Sequence, residues 1–274
     1  MINFTKEIRR YFAFAIGRYF IDFRGKHRLL KILDNPFKYK NIYEGDDFQV
    51  KYFDTKYSGT YSNFIDWGVF FQEGFEKGLI KFFFNEIRLG KFHYFIDIGA
   101  NSGSVSLPFA KIIKTICFEP IKYNFDKLKK NYQINNNLKK FRLFNFGLSN
   151  VNERKKIFFS DIHSNIGTAS IVRFYKKNNK YEEIQLKKLD DILKFKNKSL
   201  LIKIDVEGYE DKVMLGMKKL LKYNKVCVYL ETQNKNLALF LKRKYKVFYP
   251  KFWYSKYFFL KKKSSDDLIF KNYD

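Results

Sequence analysis

From residue 94 onwards, short apolar runs alternate with segments of helical periodicity. Several runs are apolar at nearly every position, which is typical of parallel strands buried on both faces. The alternation predicts an α/β fold with helices on both faces of a mostly parallel sheet. The predicted strands are Tyr94–Ile98, Thr115–Phe118, Phe141–Phe146, Leu200–Ile204, Lys225–Leu230 and Tyr245–Tyr249, followed by Asp267–Lys271 as an antiparallel edge strand. The predicted helices are Val105–Ile113, Ile121–Ile134, Tyr209–Leu221 and Leu237–Lys244.

Residues 1–90 differ in pattern and predict an aromatic-rich, largely helical extension to a domain at 91–274. Within Phe4–Phe20, apolar residues recur at the spacing of one helix face and arginines accompany them. Such a basic amphipathic helix either covers a neighbouring domain or lies on a membrane surface. Its apolar residues are Ile8, Phe12, Ala15, Ile16 and Tyr19, and its arginines are Arg9, Arg10 and Arg18.

Three further segments have patterns of their own. Tyr43–Tyr57 alternates loosely and predicts a hairpin that turns at Glu44–Asp47. Val69–Leu89 predicts a helix that stops at Gly90. Residues 153–181 break the strand–helix rhythm, and their many polar residues predict an inserted surface loop over a site.

Composition narrows the class of protein. Hydrophobic residues make up 46% of the 274 residues and the mean hydropathy is −0.41, which excludes a mainly disordered chain. No apolar run reaches the roughly 18 residues of a membrane span, which excludes a polytopic membrane protein. Cys117 and Cys227 lie in apolar runs and predict buried free thiols. No secretory signal is visible, so we expect a cytoplasmic protein, or one peripheral to the inner face of the membrane.

The net charge is +26, from 54 Lys and Arg against 28 Asp and Glu. Such a charge favours polyanionic partners, namely nucleic acid, anionic lipid or phosphorylated substrates. The chain is equally rich in Phe, Tyr, Asn and Ile, which share A/T-rich codons with Lys. An A/T-rich genome would raise all five residue types without selection for binding. The charge alone therefore does not decide the function.

The strongest candidate site begins at Asp97–Gly103, which follows a predicted strand. Gly99 and Gly103 let the backbone turn tightly beside a ligand. The acidic Asp97 suits a cationic ligand better than a pyrophosphate, which prefers bare backbone amides. Glu119 ends the next strand, where an acid accepts hydrogen bonds from ribose hydroxyls in dinucleotide folds. This combination predicts a nucleoside site beside a positive charge, which describes S-adenosylmethionine.

A second candidate site lies at Lys203–Glu210, where a buried strand ends in three acids around Gly208. Ligands bind at the carboxyl ends of parallel strands. Glu210 has the alternative role of a helix N-terminal charge. Glu231 ends the following strand in the same way.

Together these motifs resemble the FkbM family of S-adenosylmethionine-dependent methyltransferases over residues 94–232. The matching stretches are Asp97–Gly103, Glu119-Pro120, Lys188–Leu193 and Lys203–Glu210. The resemblance implies the Rossmann-like class I methyltransferase fold, with seven strands of which the last is antiparallel. The residues expected to bind S-adenosylmethionine are Asp97, Gly99, Asn101, Gly103 and Glu119.

The resemblance further implies O-methylation of a sugar or polyketide hydroxyl, commonly in capsule, lipopolysaccharide or other polysaccharide biosynthesis. A hydroxyl needs a general base or a metal ion to become a good nucleophile. Asp205 is the first candidate for base or metal ligand, with Glu207 and the insertion's His163 as further catalytic candidates. Glu207 and Glu231 would complete three oxygens for Mg²⁺, but no aspartate pair has a recognisable metal spacing, so a metal is not favoured.

Two other functions compete with this one. An RNA methyltransferase would use the basic surface, and a non-catalytic protein would only bind ligands. Many nucleic-acid methyltransferases have an Asn/Asp-Pro-Pro-Tyr block after the fourth strand, whereas this chain has Asp205–Gly208 there. The sequence also shows no recognisable RNA-binding module. The intact Asp97, Gly99, Gly103 and Glu119 argue against a decayed site. We therefore expect an anionic small-molecule or glycan substrate rather than nucleic acid.

Overall fold

A computed structural model of the chain describes residues 2–21, 23, 25–38, 46–74, 76–90, 92–160, 179–232, 234–248 and 267–273. In chain order the described helices are α1 Ile2–Tyr19, α2 Lys26–Leu33, α3 Phe64–Gln72, α4 Lys77–Leu89, α5 Lys122–Gln133, α6 Leu189–Ile192, α7 Glu210–Gly216, α8 Lys218–Tyr223 and α9 Lys235–Lys244. The strands are β1 Asp47–Tyr52, β2 Thr55–Thr60, β3 Tyr94–Ile98, β4 Lys114–Phe118, β5 Phe141–Phe144, β6 Gly147–Leu148, β7 Glu153–Ser160, β8 Asn179–Lys187, β9 Ser199–Ile204, β10 Lys225–Glu231, β11 Lys246–Phe248 and β12 Asp267–Lys271.

Seven strands form the central sheet in the order β11-β12-β10-β9-β3-β4-β5. β12 is antiparallel to both of its neighbours, whereas the other pairs are parallel. β3 has β4 on one side and β9 on the other, so the chain reverses its winding there and opens a crevice at the carboxyl ends of the strands. The predicted α/β fold with a seven-stranded, mostly parallel Rossmann-like sheet is confirmed.

Several predicted elements differ in the structure. β12 is not an edge strand, because Phe270 pairs with Val228 of β10 on one side and with Val247 of β11 on the other. Its residues Asp267 to Phe270 are all buried, as an interior position requires. The predicted helix at 105–113 is only a 3-10 turn at Leu107–Phe109, since Pro108 has no N–H for a helical hydrogen bond.

Two predicted helices are each interrupted. The helix expected over 69–89 stops at Gln72, where Glu73 and Gly74 take left-handed conformations, the usual geometry of a helix C-terminus. The helix expected over 209–221 breaks at Met217 into α7 and α8.

The hairpin and the insertion also differ from expectation. The hairpin β1–β2 turns at 53–54 rather than at Glu44–Asp47, of which residues 44 and 45 lie outside the described residues. The two ends of the 153–181 segment are not loop: β7 and β8 pair along their whole lengths, and β8 also pairs with β6. The three strands form a separate small sheet in the order β6-β8-β7.

The N-terminal extension packs onto one face of the central sheet. Phe83 of α4 contacts Phe95 of β3 at a ring-centroid distance of 5.0 Å, and both belong to one continuous hydrophobic core. The hairpin adds polar contacts, since the Tyr52 hydroxyl donates to the Ser104 carbonyl and Asn131 of α5 accepts from a hairpin amide. Within the described residues, no helix is long and apolar enough to span a membrane. Cys117 and Cys227 are buried free thiols, as predicted.

Candidate functional site

Three strand ends meet closely at the crevice. The amides of Gly99 and Ala100 both donate to the Phe118 carbonyl at 3.0 Å, and the Asp205 amide donates to the Ile98 carbonyl at 3.1 Å. Gly99 has a φ of +80°, and a Cβ there would lie 1.8 Å from the Asp205 carbonyl oxygen. Only glycine therefore allows β3 and β9 to end this close together.

Glu119 closes one side of the crevice. Its side chain accepts hydrogen bonds from the amides of Asn101 at 2.8 Å and Ile121 at 2.9 Å, one on each oxygen. The residue is only 4% exposed, and burial raises the pKa of its carboxyl to about 7. Each oxygen keeps a further lone pair with which it can accept a hydroxyl hydrogen.

Lys203 is a buried cation beneath the strand ends, 3% exposed. It is aligned with Asp97 across the β3–β9 ladder. Its ammonium lies 3.0 Å from Asp205 and 3.9 Å from the fully buried Asp97, and it donates to the Gly99 carbonyl at 3.5 Å. Burial opposes the charge on Lys203, but Asp205, Asp97 and Glu76 together raise its pKa above the ordinary value. Lys203 is thus the counter-ion that holds Asp205 in position.

A group of three carboxylates lies beyond Lys203. Carboxylate oxygens of Glu76, Asp205 and Glu231 all lie within 4.8 Å of one another. Glu76 immediately precedes α4, whereas Asp205 and Glu231 end the neighbouring strands β9 and β10. Burial raises the pKa of Glu76 to about 7 against the opposing influence of Lys203, with Asp205 adding to the rise. This acidic cluster of Glu76, Asp205 and Glu231 can accept a proton or bind a cationic or hydroxyl group.

Glu119 and the acidic cluster lie at two parts of one cavity of about 300 Å³. That volume is at the lower end of the range for small-molecule sites. Ile157 of β7 and Ile184 and Leu186 of β8 line it, so the strands that replace the predicted surface loop supply an apolar wall. The cavity can therefore hold a ligand with an apolar part, a polyol part and a positive charge.

The remaining predicted residues have distinct positions. Gly103 has a φ of +83° and packs against Leu128, so its contribution is to the loop's shape. Glu207 lines the cavity and has a left-handed backbone, with φ of +53°. Glu210 accepts from the Gly208 amide at 2.8 Å, which is the helix N-terminal role left open by the sequence. His163 lies outside the described residues.

Glu76 is the site residue that sequence reasoning missed. It belongs to the N-terminal extension, far along the chain from the two motifs. No motif includes it, and only the packing of α4 over the sheet brings it to Asp205. The available signal was Gly74, which ends one helix shortly before the next begins. A residue at the start of a helix can face a crevice, and Glu76 is in that position.

We expect the pH dependence of stability to reveal the buried Glu119. Its pKa is raised from 4.5 to about 7, so between these values the folded state keeps a proton that the unfolded state has lost. Folding stability from this group is therefore greatest below about pH 4.5 and declines as the pH rises towards 7. Glu119→Gln removes this pH-dependent contribution to stability. As the pH rises from 5 to 8, the unfolding temperature of wild type should therefore fall relative to that of the variant.

Glu183→Gln is the matched control, because Glu183 is exposed on β8, 59% by side chain. Its unfolding temperature should follow that of wild type at every pH. A constant difference between wild type and Glu119→Gln from pH 5 to pH 8 would contradict the expected protonation.

Comparison with solved structures finds similar chains at low identity. The Pyrococcus abyssi tRNA (uracil-54, C5)-methyltransferase in complex with S-adenosyl-L-homocysteine is 11% identical, with a TM-score of 0.42 over 82% of this chain and 44% of that one. This chain thus spans less than half of that enzyme's length. An rRNA methylase from Streptococcus thermophilus is 10% identical, with a TM-score of 0.37 over 66% and 85% of the two chains. The N-terminal domain of human METTL16 in complex with S-adenosyl-L-homocysteine is 15% identical, with a TM-score of 0.38 over 72% and 70%.

Sequence comparison identifies the family. Among curated proteins, none matches this chain. Residues 97–245, more than half of the chain, match the methyltransferase FkbM domain. The matched range contains the glycine loop, Glu119, Lys203, Asp205 and Glu231. The chain belongs to the FkbM family of S-adenosylmethionine-dependent methyltransferases.

Proposed function

We propose that this protein transfers a methyl group from S-adenosylmethionine to a hydroxyl of a carbohydrate, one that is phosphorylated or nucleotide-linked and destined for a surface polysaccharide. The observation that carries the proposal is a single cavity with two unlike parts. Glu119 and the glycine loop suit a nucleoside, and the acidic cluster suits a hydroxyl-bearing acceptor beside a positive charge.

The residues around Gly99 and Glu119 fit the cofactor. The lone pairs left on the Glu119 carboxylate would accept the ribose hydroxyls, and the amide of Asn101 fixes that carboxylate at 2.8 Å. Gly99 lines the cavity beside Glu119, and its missing side chain lets β3 end against the Asp205 carbonyl. S-adenosylmethionine supplies an already activated methyl group, so the chain's main task is to orient donor and acceptor.

Asp205 is the residue that we assign as general base. It lines the cavity and is 28% exposed by side chain, so a ligand can reach it. Lys203, 3.0 Å away, pairs with the Asp205 side chain and fixes its direction. In the proposed reaction Asp205 would accept the hydroxyl proton as the oxygen bonds to the methyl carbon, while the bond from that carbon to the sulfonium sulfur breaks and S-adenosyl-L-homocysteine leaves. Glu76 and Glu231 would accept hydrogen bonds from neighbouring hydroxyls and position the acceptor.

The charge of the cavity supports a sugar hydroxyl over RNA. Three carboxylates at the acceptor side would repel the closely spaced phosphates of a nucleic-acid backbone. A nucleotide-linked sugar can place its neutral ring at the carboxylates and its phosphates outside, where the charge of +26 favours them. RNA methylation, motivated by the same charge, is the alternative that the experiments below test.

We expect Glu119→Ala to weaken cofactor binding about ten- to a hundredfold. The substitution removes a charge-assisted hydrogen-bond acceptor, a loss of about 1.5–3 kcal/mol. Isothermal titration calorimetry with S-adenosyl-L-homocysteine measures the affinity, with Asp205→Asn as the variant expected to bind normally. Unchanged affinity in Glu119→Ala would remove this residue from the cofactor site.

We expect Asp205→Asn to reduce turnover by about 10²–10⁴-fold, the usual contribution of a positioned general base. Cofactor affinity should change little, since the isosteric amide keeps the hydrogen bond geometry with its surroundings. EDTA should leave wild-type turnover intact, because Lys203 is already the counter-ion of Asp205. If EDTA abolishes activity and Mg²⁺ restores it, the acidic cluster would instead be assigned to a metal ion. Normal turnover in Asp205→Asn would exclude Asp205 as the base.

The acceptor itself is tested with methyl-labelled S-adenosylmethionine and a panel of nucleotide-sugars, oligosaccharides and total RNA. We expect label on a sugar hydroxyl, located by mass spectrometry of the product. The Asp205→Asn variant is the background control. Label on RNA and on no sugar would overturn the carbohydrate proposal in favour of RNA methylation.

A further inference from the structure

Helix α1 has two unlike faces, and one of them is fixed to the protein. Arg10 pairs with Asp34 at 2.6 Å and with Asp46 at 2.5 Å. Gly17 approaches the Phe71 carbonyl so closely that a Cβ would be 1.8 Å from its oxygen. Arg18 donates to the carbonyls of Val69 and Phe70, both at 2.8 Å. These contacts set the rotation of α1 about its axis.

The opposite face is exposed and apolar. Residues at intervals of three or four positions share one side of a helix, and here that side carries large hydrophobic side chains. Tyr11 is 71% exposed, Tyr19 79% and, just beyond the helix, Ile21 89%. We name this surface the aromatic stripe: Ile8, Tyr11, Phe12, Tyr19, Phe20 and Ile21. A contiguous exposed apolar surface of this kind marks an interaction site.

Charge indicates what covers the stripe. Residues 1–33 contain eight Lys and Arg but only two acidic residues, Glu7 and Asp22. Arg10, Arg18 and Lys26 are bonded within the protein. Arg9 and Arg28 are exposed. A helix with an apolar face, rich in Tyr and Phe and set in basic sequence, matches the chemistry of an anionic lipid surface. Tyrosine in particular places an apolar ring and a polar hydroxyl at the boundary between lipid and water. The 18-residue α1 itself is too polar to span a bilayer.

We propose that the aromatic stripe docks the protein on an anionic membrane surface, with α1 lying in the plane of the interface. Because the opposite face is tied down by Arg10, Gly17 and Arg18, the stripe is presented already helical. Binding then needs no folding of the helix, which lowers its entropic cost. The proposal is independent of the acceptor, since it rests on the extension alone.

The test is co-sedimentation of the full chain with vesicles. Wild type should bind vesicles of phosphatidylcholine and phosphatidylglycerol at 3:1 and bind pure phosphatidylcholine much more weakly. The triple variant Tyr11→Ser, Phe12→Ser, Tyr19→Ser should partition to the anionic vesicles roughly tenfold less or lower still, since it loses apolar burial. Circular dichroism and the unfolding temperature confirm that this variant folds, as expected for exposed positions.

The matched control is Leu239→Ser with Phe240→Ser, two exposed apolar residues on α9 at 53% and 56%. All variants keep the same net charge, so attraction by charge alone would affect them equally. Equal binding by wild type, the triple variant and the control would overturn the proposal. Failure of wild type to bind the anionic vesicles would also overturn it. If wild type then forms a dimer in analytical ultracentrifugation and the triple variant is monomeric, the stripe would be assigned to a second copy of the chain.

A depth measurement adds an independent result. Phe12→Trp should be quenched by brominated acyl chains in the anionic vesicles, whereas Phe240→Trp should not. The native tryptophans Trp67 and Trp253 contribute the same background to both variants. Equal quenching of the two would contradict insertion of the stripe.

Discussion

Gly99 lies so close to the Asp205 carbonyl that β3 and β9 end as one surface, with no side chain between them. This contact determines where the other groups of the site can be. Lys203, two residues before Asp205 on β9, is drawn beneath the loop and contacts the Gly99 carbonyl. Asp205 projects above it into the cavity. A larger residue at 99 would separate the two strand ends, and the ion pair between Lys203 and Asp205 would lose its alignment with the glycine loop.

The electrostatics of the site are the reverse of those of the whole chain. The protein carries a net charge of +26, yet its cavity is lined by four acidic residues, Glu76, Glu119, Asp205 and Glu231, and by the buried Lys203. Burial raises the pKa of Glu119 to about 7, so a positive charge brought into the cavity would stabilise the ionised form of this carboxyl. A cationic cofactor neutralises such a cavity, whereas a basic exterior attracts an anionic acceptor. Because negative charge is concentrated in the cavity and positive charge outside it, one protein can bind both a cationic cofactor and an anionic acceptor.

The sequence predicted the parts that depend on local pattern. Apolar runs located the strands of the central sheet to within one or two residues, because a strand buried on both faces needs little else. The glycine loop and Glu119 were found because their chemistry lies at adjacent strand ends. Pattern failed where a contact between distant segments decides the outcome. β12 enters the sheet between β10 and β11 by pairing on both edges, and Glu76 reaches Asp205 only through the packing of α4.

The N-terminal extension therefore has two faces with different consequences. On its inner side it shares the hydrophobic core of the sheet and contributes Ile65 and Glu76 to the cavity wall, so the site is incomplete without it. On its outer side it carries the aromatic stripe. Backbone contacts at Gly17 and Arg18 connect α1 to α3, which begins at the cavity, and the ion pairs of Arg10 connect it to Asp34 and Asp46. A surface that binds the stripe would consequently hold the whole domain, and its cavity, in a fixed orientation. For an acceptor at a membrane, that orientation would decide which face of the domain the acceptor meets.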